Sequence, residues 1–101
     1  VNLKDEDGRT ALMHAAGQGV PELLRLLISH KAQLNIQAKN GRTALMEAAD
    51  EDETENVRVL LEAGAITNLK DKEGETAFSL TGNKEIQDLL IQYGFVPPLR
   101  F

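Results

Sequence analysis

The chain has 101 residues, 42% hydrophobic and 27% charged, with a net charge of −5, one Tyr, three Phe, no Trp and no Cys. That length holds one domain, and a core of Leu, Ile, Val and Ala suits close helix packing better than a large aromatic pocket. The acidic balance argues against nucleic acid, whose phosphates need clustered Lys and Arg, while the missing thiols exclude disulfides, thiolate metal sites and a cysteine nucleophile.

In chain order, the first segment around Gly8 carries the Asp, Asn and Gly of a tight turn. Thr10 is placed to cap a first helix with Leu12, Ala15 and Ala16 on one face. Gly17-Gln18-Gly19 breaks it, and Pro21 opens a second, more apolar helix through Leu23, Leu24, Leu26, Leu27 and Ile28. The next segment repeats the plan: a turn at Gly41, a helix with Leu45, Ala48 and Ala49, then a helix with Val57, Val59, Leu60 and Leu61. Gly64 follows where a left-handed residue closes a helix. Lys31 holds the same place one repeat earlier, so either its backbone takes a strained left-handed conformation or the turn there differs. The third segment is shortened. Thr76 to Leu90 is 14 positions where Thr43 to Leu61 is 18. Aligning Ile86, Leu89 and Leu90 with Val57, Leu60 and Leu61 implies a three-residue deletion plus a one-residue shift, with Gly82-Asn83 at the shortened bend. Lys84, Glu85, Gln87, Asp88 and Gln92 give this last unit a polar outside.

Two ladders fix the period. Gly8-Arg9-Thr10-Ala11-Leu12-Met13 returns as Gly41-Arg42-Thr43-Ala44-Leu45-Met46 and, drifted, as Gly74-Glu75-Thr76-Ala77-Phe78-Ser79, each 33 residues on. Asn2-Leu3-Lys4-Asp5, Asn35-Ile36-Gln37-Ala38 and Asn68-Leu69-Lys70-Asp71 keep the same spacing. Helix pairs at a fixed period cannot bury their apolar faces singly, and about three are needed for a stable stack. Gly-x-Thr-Ala-Leu-x-x-Ala-Ala, as in Gly8 to Ala16 and Gly41 to Ala49, followed by Leu-Leu-x-x-Gly-Ala-x-x-Asn from Leu60 to Asn68, resembles the ankyrin repeat over residues 2–95. The family's usual Pro after Thr is Ala11, Ala44 and Ala77 here, and its usual His is Met13 and Met46. The resemblance implies an all-α solenoid of stacked helix-turn-helix units joined by hairpin-like loops. Residues 1–101 then form a single domain with repeats at about 5–37, 38–70 and 71–95 and a tail at 96–101.

Chemistry-bearing patterns are few. His14 and His30 are 16 residues apart with no Cys or His partner, so neither metal nor cofactor is expected. No Gly-rich loop ends in Lys-Ser/Thr, and Ser29 and Ser79 lack the setting of a nucleophile elbow. Catalysis is therefore not expected. The acidic run Asp50-Glu51-Asp52-Glu53-Thr54-Glu55 lacks the interleaved spacing and central Gly of a calcium loop. It reads either as a solvated turn or as part of a recognition surface.

The resemblance implies that the hairpin tips and exposed first-helix surfaces form a protein-binding groove. By register, that surface takes Glu6, Asp7, Arg9, Gly17 and Gln18 from the first repeat. The second supplies Gln37, Lys39, Asn40, Arg42, Asp50, Glu51 and Asp52, and the third Lys70, Lys72, Glu73 and Glu75. Lys39, Arg42, Lys70 and Lys72 would lie on the finger side and the acidic run at one end, a polarised layout able to orient a charged partner. The family also implies that Asn35 and Asn68 brace the loop backbone. The apolar tail from Phe95 to Phe101 is expected to fold back over the third repeat, the alternative being an exposed docking segment. The function implied is non-catalytic binding of another protein, one at a time, by a monomer. The alternative is a small inhibitor or self-protection (immunity) protein that blocks an enzyme. A third reading, a piece cut from a longer array, rests on Asn2-Leu3-Lys4 matching the end of a preceding repeat. No membrane partner is expected, because no apolar run nears the ~20 residues of a spanning helix. The expected location is cytoplasmic. Nothing resembles a signal peptide, but Val1 in place of Met leaves open a removed leader and, with it, a bacterial periplasm.

Overall fold

The computed structural model describes residues 2–97. Among these it contains six helices and no strand: α1 (Ala11–Gly17), α2 (Pro21–Ser29), α3 (Ala44–Asp50), α4 (Thr54–Glu62), α5 (Ala77–Leu80) and α6 (Lys84–Gln92). They pair as α1 with α2, α3 with α4 and α5 with α6. The pairs stack so that α3 packs between α1 and α5, and α4 between α2 and α6. The result is elongated, 43 × 25 × 19 Å.

Local chemistry sets each helix start. The Thr10, Thr43 and Thr76 hydroxyls accept from the backbone N–H of Met13, Met46 and Ser79, satisfying a donor that the first turn would leave orphaned. Ser79 reciprocates by accepting from the Thr76 N–H, so a capping box holds even the four-residue α5. Pro21 occupies the first turn of α2, where no amide donor is needed. The second helices end alike. Lys31 and Ala32 donate to Ile28 and Leu27, Gly64 and Ala65 to Leu61 and Leu60, Gly94 and Phe95 to Ile91 and Leu90. This paired closure requires a left-handed residue. Lys31 adopts it at φ 68°, as its alignment with Gly64 predicts.

The matching closures also correct the register of the third repeat. Gly94 and Phe95 follow Gly64 and Ala65 by 30 positions, so the deletion is three residues with no further shift. Ile86, Leu89 and Leu90 therefore stand where Asn56, Val59 and Leu60 stand, not where Val57, Leu60 and Leu61 do. The missing residues come from the first helix and the bend: α5 stops at Leu80, and Asn83 caps α6 by accepting from the Glu85 and Ile86 amides.

Leu12, Met13, Leu45, Met46, Val57, Leu60, Ile86 and Leu90 fill the core, with Ala15, Ala16, Ala48 and Ala49 letting the first helices approach one another. Leu24 alone is buried among the apolar residues of α2, whereas Leu23 and Leu26 are 42% and 53% exposed. Their equivalents one repeat later, Asn56 and Val59, are covered by the preceding pair, and α2 has no such neighbour among the described residues. At the other end Phe95 is buried and stacks on Phe78 with ring centroids 4.9 Å apart. The chain thus begins the return expected of the tail; Val96 is exposed, and residues 98–101 lie outside the described residues.

Candidate functional site

Three loops project as fingers from the stack, and backbone hydrogen bonds lace them together. Within each, the chain closes on itself: Asp5 N–H to Arg9 C=O, Ala38 to Arg42 and Asp71 to Glu75, all at 2.9 Å. Between fingers, the Lys39 N–H donates to Asp7 C=O and the Lys72 N–H to Asn40 C=O, again at 2.9 Å. Gly41 is obligatory in this lacing. Its φ is 84°, and a Cβ there would lie 2.7 Å from the Lys72 nitrogen.

Side chains finish the fingers. An Asp5 oxygen accepts from the amides of Asp7 and Arg9, and an Asp71 oxygen from those of Glu73 and Glu75. The second finger has Ala38 at that position, and Asn40 accepts from the Arg42 amide instead. The Arg9 amide bond is the main cause that holds the Asp5 carboxyl below its ordinary value of 3.8. Desolvation opposes this as the next-largest effect, and His14 at 3.2 Å and the Asp7 amide lower the value further. Gln37 bridges two fingers, donating to Gly41 C=O and Lys70 C=O. Asn35 accepts from the Ile66 amide at 2.9 Å, the bracing its register implies; Asn68 makes no such bond among the described residues.

Where the fingers meet the helices, charges converge on one residue that the repeat pattern does not single out. Glu47 on α3 is only 7% exposed. Arg9 reaches it from the first finger at 2.9 Å and Arg42 from the second at 3.4 Å, and Arg42 also lies 3.0 Å from Asp50. The Arg42–Asp50 contact is coulombic, because the buried Arg42 Nη2 finds no acceptor in hydrogen-bonding geometry. Arg9, Arg42, Glu47 and Asp50 thus neutralise one another. The expected polarity narrows accordingly: Arg42 is spoken for, leaving Lys39, Lys70 and Lys72 as exposed cations on the finger side, none in an ion pair among the described residues.

The other expected positions separate into two groups. Glu6, Asp7, Lys39, Asn40, Lys72 and Glu73 occupy exposed finger tips. Gln18 and Glu51 follow the ends of α1 and α3 and are exposed, while Gly17 is half-buried beneath the Glu47 and Glu51 side chains. Asp52 takes a left-handed conformation at φ 57°, and its carboxylate accepts from the Thr81 hydroxyl, tying the second repeat to the third. Glu53 lies against Gly19, where a Cβ would come 2.6 Å from its carboxylate.

The family described as ankyrin repeats (3 copies) matches residues 1–71. The chain belongs to the ankyrin-repeat family. Members are generally protein-binding modules. The match ends where the shortened third repeat of this ankyrin chain begins. No curated protein matches the sequence. Among the described residues of the ankyrin stack, no group of three or more His, Cys, Asp or Glu is placed to hold a metal ion, and no helix is long and apolar enough to cross a membrane. Beyond the fingers, a concavity of about 850 Å³ opens at the C-terminal end between the third finger, α5 and α6, lined in part by Phe78, Thr81, Gln87 and Phe95. It lies beside α5, the helix that the deletion shortens.

Proposed function

We propose that this ankyrin domain acts without catalysis, as a binder of one protein partner at a time through its finger tips and the adjoining polar ends of α1 and α3. The observation that carries this reading is the contrast between finger backbone and finger side chains. The backbone is laced between repeats and so pre-ordered, which lowers the entropic cost of binding. The tip side chains of Glu6, Asp7, Lys39, Lys72 and Glu73 make no hydrogen bond or ion pair among the described residues, so the fold does not consume them. Mixed charge on a rigid frame selects partners of complementary pattern and speeds their encounter. A face three fingers wide suits an interface of about 800 Å² per partner. Gln18, Glu51 and Asp50 extend the surface toward the acidic end.

The test compares the wild-type chain with a variant in which Lys39, Glu51, Lys72 and Glu73 are Ser, both immobilised and exposed to native lysate. Arg9, Arg42 and Glu47 are left intact because they hold one another in place. A protein retained by the wild type and lost by an equally stable variant supports the reading, and assay of that protein's activity decides between adaptor and inhibitor. Equal retention by both would move the interface off the fingers.

A further inference from the structure

Asn40 is the one asparagine of the chain that precedes a glycine. Asparagine is chemically labile, most of all there, because glycine has no Cβ to shield its nitrogen from the neighbouring side-chain amide. Asn40 stands exposed at the tip of the second finger, and its Oδ1 accepts from the Arg42 amide at 3.0 Å, which keeps the side chain alongside Gly41. One peptide plane holds the two groups apart. The Gly41 N–H donates to Ala38 C=O at 2.8 Å and closes the finger's own turn, while the Asn40 C=O accepts from the Lys72 amide at 2.9 Å. The unit is rigid, so its C=O and N–H turn together. Asn40 is the third residue of that turn and its φ is not positive, which makes the turn type I, with ψ there about 0°. The Gly41 nitrogen then lies on the main-chain side of Asn40. Closing a ring onto the side chain needs it swung round to the Cβ side, and that rotation breaks both hydrogen bonds.

We propose that Asn40 is a site of spontaneous deamidation guarded by the third finger. When Lys72 lets go and the turn opens, the Gly41 nitrogen gives its proton to solvent and attacks Asn40 Cγ. The N–Cγ bond forms, the Cγ–Nδ2 bond breaks, and ammonia departs with a proton taken back from solvent, leaving a succinimide. Water then opens the ring. Opening at Cγ gives Asp, and opening at the main-chain carbonyl gives isoaspartate, with Cβ now part of the backbone. Asp suits the finger, since Asp7 holds the equivalent place and its C=O accepts from Lys39 in the same way. Isoaspartate does not. Its extra backbone carbon displaces the C=O that Lys72 needs, and the Arg42 amide loses its brace. No other side chain takes that brace over, because Ala38 stands where Asp5 and Asp71 brace the other fingers. A passing release of the third finger thus leaves a lasting chemical mark on the second, with a negative charge added beside Lys39.

The test incubates the whole chain at mildly alkaline pH, native and in urea, and follows Asn, Asp and isoaspartate at residue 40 by peptide separation and mass spectrometry. Native conversion is expected to be at least ~10-fold slower than in urea, because reaction waits on an opening that breaks both bonds of one plane. Lys72→Pro deletes the guarding N–H at the second position of the Asp71–Gly74 turn, where proline is favoured. It should raise the native rate at least ~5-fold with helix content unchanged. Should that variant unfold, Asp71→Ala carries the same comparison: it frees the Glu73 and Glu75 amides, loosens the third finger and leaves the second untouched. Equal rates in the native chain and in urea would overturn the proposal. So would a folded third-finger variant that converts no faster than wild type.

Discussion

Replacing Lys31 with glycine isolates the cost of one backbone conformation from every side-chain contact. Lys31 closes α2 at φ 68°, is exposed, and its side chain makes no hydrogen bond or ion pair among the described residues. A residue with a Cβ gives up about 1–2 kcal/mol in the left-handed region. Glycine recovers that strain but loses about 0.5–1 kcal/mol more chain entropy on folding. The net expectation for Lys31→Gly is a gain of about 0.5–1 kcal/mol, a rise of roughly 2–8 °C in melting temperature for a domain of this size. Gly64 provides the reciprocal case. Its φ is 103°, and no atom lies within 4 Å of where its Cβ would be, so Gly64→Lys should lose at least the same amount through strain alone. Urea and thermal denaturation of the two single variants and the exchanged pair would measure both effects. A destabilised Lys31→Gly, or a Gly64→Lys indistinguishable from wild type, would refute the conformational argument.

Three further outcomes follow from the joints between repeats. Glu47→Gln strands Arg42 beside a neutral group, and because the Arg9 and Arg42 side chains keep 32% and 19% of their surface exposed the loss should be about 1–3 kcal/mol rather than the 3–5 of a fully buried pair; chemical denaturation checks it. Asn56→Ala leaves the Ala15 and Ala16 carbonyls without their side-chain donor and should lose about 1–3 kcal/mol. Amide exchange in that variant should quicken in α1 and α2 before α4 and α6. The Asp5 carboxyl is held low in the folded chain, so its contribution is present above the unfolded value near 3.8 and disappears as pH falls through the lower folded value. Denaturation of wild type and Asp5→Asn between pH 2 and 7 should give a constant difference above about pH 5 that shrinks below pH 3.8; a constant difference down to pH 2 would contradict it.

The helices were legible because their start and stop signals are local: Thr10, Thr43 and Thr76 cap where the pattern places them, and Lys31 takes the conformation that Gly64 predicts. Burial was less legible, because it depends on what lies beyond the segment. Leu23 and Leu26 read as part of an apolar helix, yet the residues that cover their equivalents come from the previous repeat. The one-residue error in the third repeat arose from matching apolar residues alone. Ile86 looks like Val57 but stands at the position of Asn56, and only the closure at Gly94 and Phe95 fixes the register. At the candidate site, the finger tips were readable as exposed turn residues. The Arg9–Glu47–Arg42 cluster was not, since it joins two fingers to one helix through contacts that periodicity along the chain does not encode. Asp52 likewise read as one acid among five, whereas its left-handed backbone and its bond to Thr81 make it part of the stack.

The central claim is that the fingers carry recognition, and amide exchange of the domain with its captured partner tests it most directly. The account expects slowed exchange at residues 5–9, 38–42 and 71–75 and at the ends of α1 and α3, with the outward surfaces of α2, α4 and α6 unchanged. Protection confined to α2, α4 and α6, with the finger amides exchanging as in the free chain, would contradict it.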